Sequence, residues 1–330
     1  MTGKIQDQVA ENRNQTRRLD AQFVNVSTQN DRNLTFTNNY IEVEVQVEIY
    51  TRDLSTSLIS GHPNAKHGSG RGESGDLRTD WTQESVTVSS EVLVRGGRNA
   101  IRDALDGQTG AVNQIGVGTG SDDAASGDTA LTSETTKNFC WGQKDTFNVT
   151  RARSSPFLFA EYGDTVQEFG VFDEAARLLT RSVLDSSLNP TSEKELRVDV
   201  TFTFTGDGIG NSVITDDGEE ALADSIASVG TATGLKEINY GTGTTTPSTS
   251  DTALAAEEIA KDCLRQLDAE QITTQAKLFD SEPATQPVDL TEIGVTDNNG
   301  RLVWRTLIKA FEKNSQFEVN TTIGFIIQSK

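Results

Sequence analysis

The sequence predicts a mainly β protein made of α+β modules: an N-terminal β region followed by two tandem repeats of a small β-sandwich-like module, each with one helix. Three observations carry that expectation. Apolar and polar residues alternate over long stretches, most clearly at Tyr40–Tyr50. There Ile41, Val43, Val45, Val47 and Ile49 share one face and Glu42, Glu44 and Glu48 the other, the mark of a half-buried strand. The stretch Ile115–Leu131, IGVGTGSDDAASGDTAL, returns as Ile238–Leu254, INYGTGTTTPSTSDTAL. Its two anchors keep one offset, 123 residues from Gly118 to Gly241 and from Asp128 to Asp251 (241 − 118 and 251 − 128), as expected of one unit used twice.

Taken in order, residues 1–21 are polar, with Ile5, Val9 and Leu19 too sparse for an apolar helix face. They read as a tail or a short helix ordered by a partner. Strands are expected at Phe23–Val26 and Tyr40–Tyr50, and a Gly-, Ser- and charge-rich loop over 59–82. Alternation resumes in Glu84–Val94, expected to pair with Tyr40–Tyr50 so that the loop forms the tip of a long hairpin. Each module then opens on a helix. Gly97–Leu105 places Ala100, Ile101, Ala104 and Leu105 on one face, and Gly218–Ile226 repeats this with Ala221, Leu222, Ser225 and Ile226 behind an N-cap at Thr215 or Asp216. Strands follow at Phe139–Val149 and Cys263–Leu278. Hairpins follow at Glu168–Arg181 and Glu292–Arg305, and alternating strands close each module at Leu196–Phe204 and Phe317–Phe325.

The domain reading is therefore 1–89, an anchor or oligomerisation region with a long β-hairpin, then 90–207 and 208–330 as the two module copies. Gly118, Gly120, Gly170, Gly241, Gly243 and Gly294 read as turns marking the repeat, glycine supplying positive φ. Ile41, Val43, Val45, Val47 and Ile49 are the candidate oligomer contact. Trp141 and Trp304 are expected in module cores and Trp81 at a contact. Cys140 and Cys263 occupy equivalent places, one per module, and read as two buried thiols, with a disulfide between them as the alternative.

The chain has 330 residues, of which 34% are hydrophobic, and its formal net charge is −20. Length allows two or three domains with ordinary cores. A surface this acidic repels nucleic-acid phosphates and anionic lipid, so neither is an expected partner. It suits concentrated salt, where screening cancels self-repulsion, and reads as a halophile-type surface. No apolar run approaches the roughly 20 residues that span a bilayer. The N-terminus has no apolar signal core, so synthesis in a host cytoplasm without a signal peptide is expected.

The order of a helix, then IGVGTG with DTAL downstream, then strands, then EFGVFD with LLTR, then an alternating strand resembles a module of tailed-virus structural proteins, of the tail-fibre, baseplate and collar kind. Ile115–Leu131 with Glu168–Arg181, and Ile238–Leu254 with Glu292–Arg305, carry the resemblance, which spans roughly residues 90–330. Asp122-Asp123 departs from the Thr/Ala/Pro run of the family, whereas Thr244–Pro247 keeps it. The resemblance implies a non-enzymatic virion component, in a tail fibre, baseplate or capsid-vertex turret, that assembles as a symmetric oligomer with itself and other virion proteins. Composition points to a virus of salt-loving archaea. The alternative is a protein that binds a host surface layer or glycan.

No residue pattern supplies catalysis. Neither Gly-Thr-Gly copy has the third glycine of a dinucleotide fingerprint or the Lys-Ser/Thr of a phosphate loop. His62 and His67, with Asp76 and Asp80 downstream, lack the spacing of a ligand set and read as a solvated loop. Asp207–Glu219 lacks calcium-loop spacing and reads as a linker leading into a helix cap. No GxSxG, HExxH or Cys–His arrangement occurs, and carboxylates are too numerous for any pair to single out glycoside cleavage. Asn-x-Ser/Thr triplets are expected by chance in so Thr-rich a chain. No cofactor is expected, and a structural cation has no assigned ligands.

Overall fold

The computed structural model describes residues 31–53, 81–108, 111–163, 165–191, 194–207, 211–227 and 234–329. The elements run β1 (Asp31–Asp53), β2 (Thr82–Gln83), β3 (Val88–Leu93), α1 (Arg95–Leu105), β4 (Val112–Gly118), β5 (Glu134–Thr146), β6 (Val149–Ser154), α2 (Phe159–Tyr162), β7 (Val166–Asp173), β8 (Leu178–Leu188) and β9 (Lys194–Asp207). They continue with β10 (Ser212–Ile214), α3 (Asp216–Ala227), β11 (Leu235–Gly241), β12 (Glu257–Asp262), β13 (Leu264–Asp268), β14 (Gln271–Leu278), β15 (Val288–Asp297), β16 (Leu302–Lys313) and β17 (Glu318–Ser329). The chain is mainly β, as its alternating pattern predicts. The expected strand at Phe23–Val26, most of the loop over 59–82 and both histidines lie outside the described residues.

Residues group into two compact units that are discontinuous in sequence. One holds β1 as far as Ile41, Gly206–Gly218 and Leu235–Ile326; the other holds Glu42–Thr205, Glu219–Gly234 and Ile327–Lys330. In the second of these the strand order is β1-β9-β6-β5-β4-β7-β8-β3. Its core gathers Val94, Leu131, Phe172 and Leu178. Helix α1 buries Ala100, Ile101, Ala104 and Leu105, the face its period predicts. Helix α3, from Glu219 onward, lies on the β5–β6 hairpin. Thr150 Oγ1 donates to the Ala223 carbonyl at 2.7 Å, and Lys144 pairs with Glu220 and Asp224. Gly142 makes this approach possible, because a Cβ there would stand 2.6 Å from the Ala227 backbone.

In the other unit one sheet runs β13-β14-β17-β1 and a second runs β10-β16-β15-β11-β12. Trp304 fills its core, fully buried, 5.5 Å from the Phe36 ring and 6.4 Å from that of Phe325. The indole N–H donates to Asn39 Oδ1 at 3.1 Å, so the one polar atom of this ring is satisfied inside the core. Thr215 caps α3, its Oγ1 accepting the Gly218 N–H at 3.2 Å, as the sequence suggests.

The pairings in the two units correspond. The order β3-β8-β7-β4-β5 in one reads β10-β16-β15-β11-β12 in the other. The register slips between Val117 and Gly118 in β4 and between Tyr240 and Gly241 in β11. The correspondence stops at β5, which pairs β4 and then β6 without a break. Its counterpart is interrupted at Cys263, giving β12 and β13 separate partners.

Several expectations are corrected. Tyr40–Tyr50 pairs with Glu84–Val94 hardly at all: β2 meets β1 only at Tyr50↔Gln83 and Thr51↔Thr82, and β3 pairs β8 instead. Alternation fixes which face a strand buries and leaves its neighbour undetermined. Trp141 is 42% exposed rather than in a core. Gly170 and Gly294 lie inside β7 and β15, not in turns.

Candidate functional site

The repeated stretch folds around a buried carboxylate. Glu168, fully buried in β7, accepts the N–H groups of Gly120 at 3.1 Å, Ser133 at 2.6 Å and Thr132 at 3.0 Å. Arg181, from the facing strand β8, donates Nε to it at 3.0 Å. The guanidinium then reaches Asp128 Oδ2 at 2.9 Å, Thr132 Oγ1 at 2.7 Å and the Asp122 carbonyl at 3.0 Å. Asp128 itself accepts the Ala125 N–H at 2.9 Å. One Glu–Arg–Asp staple thereby ties the loop over 119–133 down onto the β7–β8 hairpin.

The other unit builds the same staple. Glu292, also fully buried, accepts from Gly243 at 2.9 Å, Ala256 at 2.8 Å and Ala255 at 3.1 Å, and from Arg305 Nη2 at 2.7 Å. Arg305 pairs with Asp251 and donates to the Thr245 carbonyl at 3.1 Å. Burial alone would lower the pKa of Arg181 and Arg305. Hydrogen bonds and charge from Asp128 with Glu168, and from Asp251 with Glu292, outweigh it and hold both above their ordinary value. A charge buried with this many donors is compensated rather than reactive.

The staple assigns the glycines a different role from the one expected. None of Gly118, Gly120, Gly170, Gly241, Gly243 and Gly294 has positive φ. A Cβ on Gly120 would lie 2.5 Å from Glu168 Oε1, and one on Gly243 2.2 Å from Glu292 Oε1. Close approach of a carboxylate to backbone demands glycine here. Gly170 and Gly294 make room for the Leu of each Asp-Thr-Ala-Leu: a Cβ would stand 2.8 Å from Leu131 Cδ2 and 2.8 Å from Leu254 Cδ2. Asp122 and Asp123 contribute only carbonyls, whereas Thr245 contributes its carbonyl and its hydroxyl, the latter in the role that Thr132 Oγ1 has in the first unit. The staple residues were readable in principle. Glu168 and Glu292, and Arg181 and Arg305, recur 124 apart (292 − 168 and 305 − 181).

The expected oligomer contact is not on offer in this chain. Ile41, Val43, Val47 and Ile49 are buried by the chain's own residues, and Val45 is half-buried. The strand pairs with β17 in one unit and with β9 in the other, and its apolar face is buried. The thiols are separate and free, Cys140 buried and Cys263 half-buried. Burial pushes Cys140 up to about 12 and Cys263 up to about 11, so neither is a thiolate near neutrality. Among the described residues no group of three His, Cys, Asp or Glu is placed to hold a metal ion, and no helix is long and apolar enough to cross a membrane.

Seven large apolar side chains among the described residues are exposed. They are Phe139, Trp141, Phe147 and Leu158 in one unit and Leu264, Leu267 and Phe279 in the other. Leu264 and Phe279 line a cleft of about 790 Å³ with Asn33, Lys261, Gln275 and Thr321. No family model, no curated protein and no solved structure matches the chain.

Proposed function

We propose that the chain is a non-enzymatic structural component of a tailed-virus particle, in a tail fibre, baseplate or capsid-vertex turret, assembling as a symmetric oligomer. In this reading residues 90–207 and 208–330 descend from one duplicated module, with 1–89 as the anchoring region. The observation that supports it best is the staple built twice. The most strongly marked motif of the sequence spends its carboxylates, guanidinium groups and backbone donors on one another. That is what a scaffold asks of a motif, whereas a ligand loop keeps donors turned outward. The acidic, salt-tolerant surface fits a particle exposed to concentrated brine.

Antibody-labelled electron microscopy of purified particles tests the reading. Label at symmetry-related positions on the tail or the capsid vertices is expected. Particles that lack the chain, with the protein confined to infected cells, would sink it. Saturable binding of the purified chain to host envelopes would favour the receptor alternative.

A further inference from the structure

The sheet β13-β14-β17-β1 turns one face to the core and leaves the other open. On β14, Ile272, Thr274, Ala276 and Leu278 are buried, so Gln271, Thr273, Gln275 and Lys277 lie on the open face. The register carries that face across the strands. Gln275 stands between Leu264 on β13 and Thr322 on β17, Thr273 between Gln266 and Gly324, and Lys277 beside Asn320. On β1, Leu34 is buried and Phe36 lies against Trp304, so Asn33, Thr35 and Thr37 share the open face. Asn320 Nδ2 donates to Asn33 Oδ1 at 3.3 Å and joins the two strands there. The middle of the face is thus built of amides and hydroxyls. Its charges stand at the ends, Lys277 paired with Glu318 at one and Asp268 at the other.

The hydrogen-bonding capacity of this face is largely open. Among the described residues, the side chains of Thr35, Thr37, Gln266, Gln275 and Thr322 make no hydrogen bond. The staples are the reverse, their donors and acceptors satisfied within the chain. At the Lys277 end the face runs into the cleft of about 790 Å³, lined by Asn33, Gln275, Lys277, Asn320 and Thr322 and by Phe279. That volume falls in the range of ligand pockets, about 300–1,000 Å³. The Phe279 ring is 47% exposed. We infer that this face and its cleft bind an uncharged glycan chain. A sugar hydroxyl both donates and accepts, as the amides and hydroxyls here do, and an exposed ring offers an apolar plane to the C–H face of a pyranose. An acidic glycan or a nucleic acid would bring negative charge to a chain of −20, and the two lysines at the cleft are already paired, Lys261 with Glu282 and Lys277 with Glu318. A protein partner would use Trp, Tyr or Arg as anchors, and among the described residues none stands on this face. Hydrogen bonds between neutral groups are little affected by screening, so the site keeps its affinity in concentrated salt.

The test puts the labelled full chain on an array of neutral and acidic oligosaccharides in dilute and in molar KCl, followed by calorimetric titration with the neutral oligosaccharide bound best. Affinity that changes less than about twofold between the two salt conditions is expected. Gln275→Ala/Thr322→Val and Phe279→Ala should each weaken binding about tenfold or more. These side chains point away from the core, so melting temperatures should stay close to wild type. Binding to no neutral oligosaccharide, or binding undiminished in both variants, would overturn the inference. Binding of acidic oligosaccharides alone, lost in molar KCl, would replace it with an electrostatic site. Self-association of the wild type that the variants lose, with no sugar bound, would put a second copy of the chain in place of the glycan. Should a variant fail to fold, hydrogen exchange of the wild type decides. The bound oligosaccharide should slow amides of Gln271–Phe279 and Glu318–Gly324, and unchanged rates there would overturn the inference. The labelling test of the particle reading is independent of every one of these outcomes.

Discussion

Ala176, at φ 59°, turns the chain between β7 and β8, where its counterpart Gly300, at φ 78°, turns it between β15 and β16. A left-handed conformation costs an L-residue about 1–2 kcal/mol, and glycine's extra chain entropy costs about 0.5–1 kcal/mol. Ala176→Gly should therefore stabilise by about 0.5 kcal/mol and Gly300→Ala destabilise by about as much, read from denaturant midpoints. Glu91 is a second local test. Burial raises its pKa to about 7, against the hydrogen bond from Ser182, with Glu44 adding repulsion. A carboxyl raised in the folded state favours the protonated form. Its contribution is full below the unfolded pKa, falls as pH rises towards about 7, and is gone above that. Discounting for partial exposure, wild type should lose about 1–2 kcal/mol between about pH 5 and pH 8 relative to Glu91→Gln. Parallel slopes for the two proteins in melts at both pH values would refute this. Sequence marked the staple glycines but misread their reason. A glycine required by an incoming carboxylate looks the same in one dimension as a glycine required by positive φ.

At the scale of elements, period and offset were legible and partners were not. The hairpins β7–β8 and β15–β16, helices α1 and α3 and strands β9 and β17 lie where apolar spacing and alternation put them. The mispairing of Glu84–Val94 and the exposure of Trp141 have one cause: a strand's pattern reports how many faces are covered, not by what. Docking of α3 on β5–β6 was likewise invisible, because Gly142 reads as an ordinary strand glycine until the Ala227 backbone is seen beside it. Gly142→Val should force the helix away at a cost of about 1–3 kcal/mol, with faster amide exchange confined to α3. Wild-type protection of Glu219–Ala227 in that variant would show that the contact is dispensable.

For the whole molecule, a formal charge of −20 makes salt a stabiliser. The melting temperature should climb from dilute buffer to molar KCl as surface repulsion is screened, and a flat or falling profile would contradict the halophilic reading. The central claim is that the repeated motif is architecture, one buried Glu–Arg–Asp staple per unit. Calorimetric and denaturant unfolding of Arg181→Met and Arg305→Met tests it most directly. Each substitution strands a fully buried carboxylate, Glu168 or Glu292, without its guanidinium. Each should cost about 3–5 kcal/mol. Wild-type stability in either variant would contradict the account.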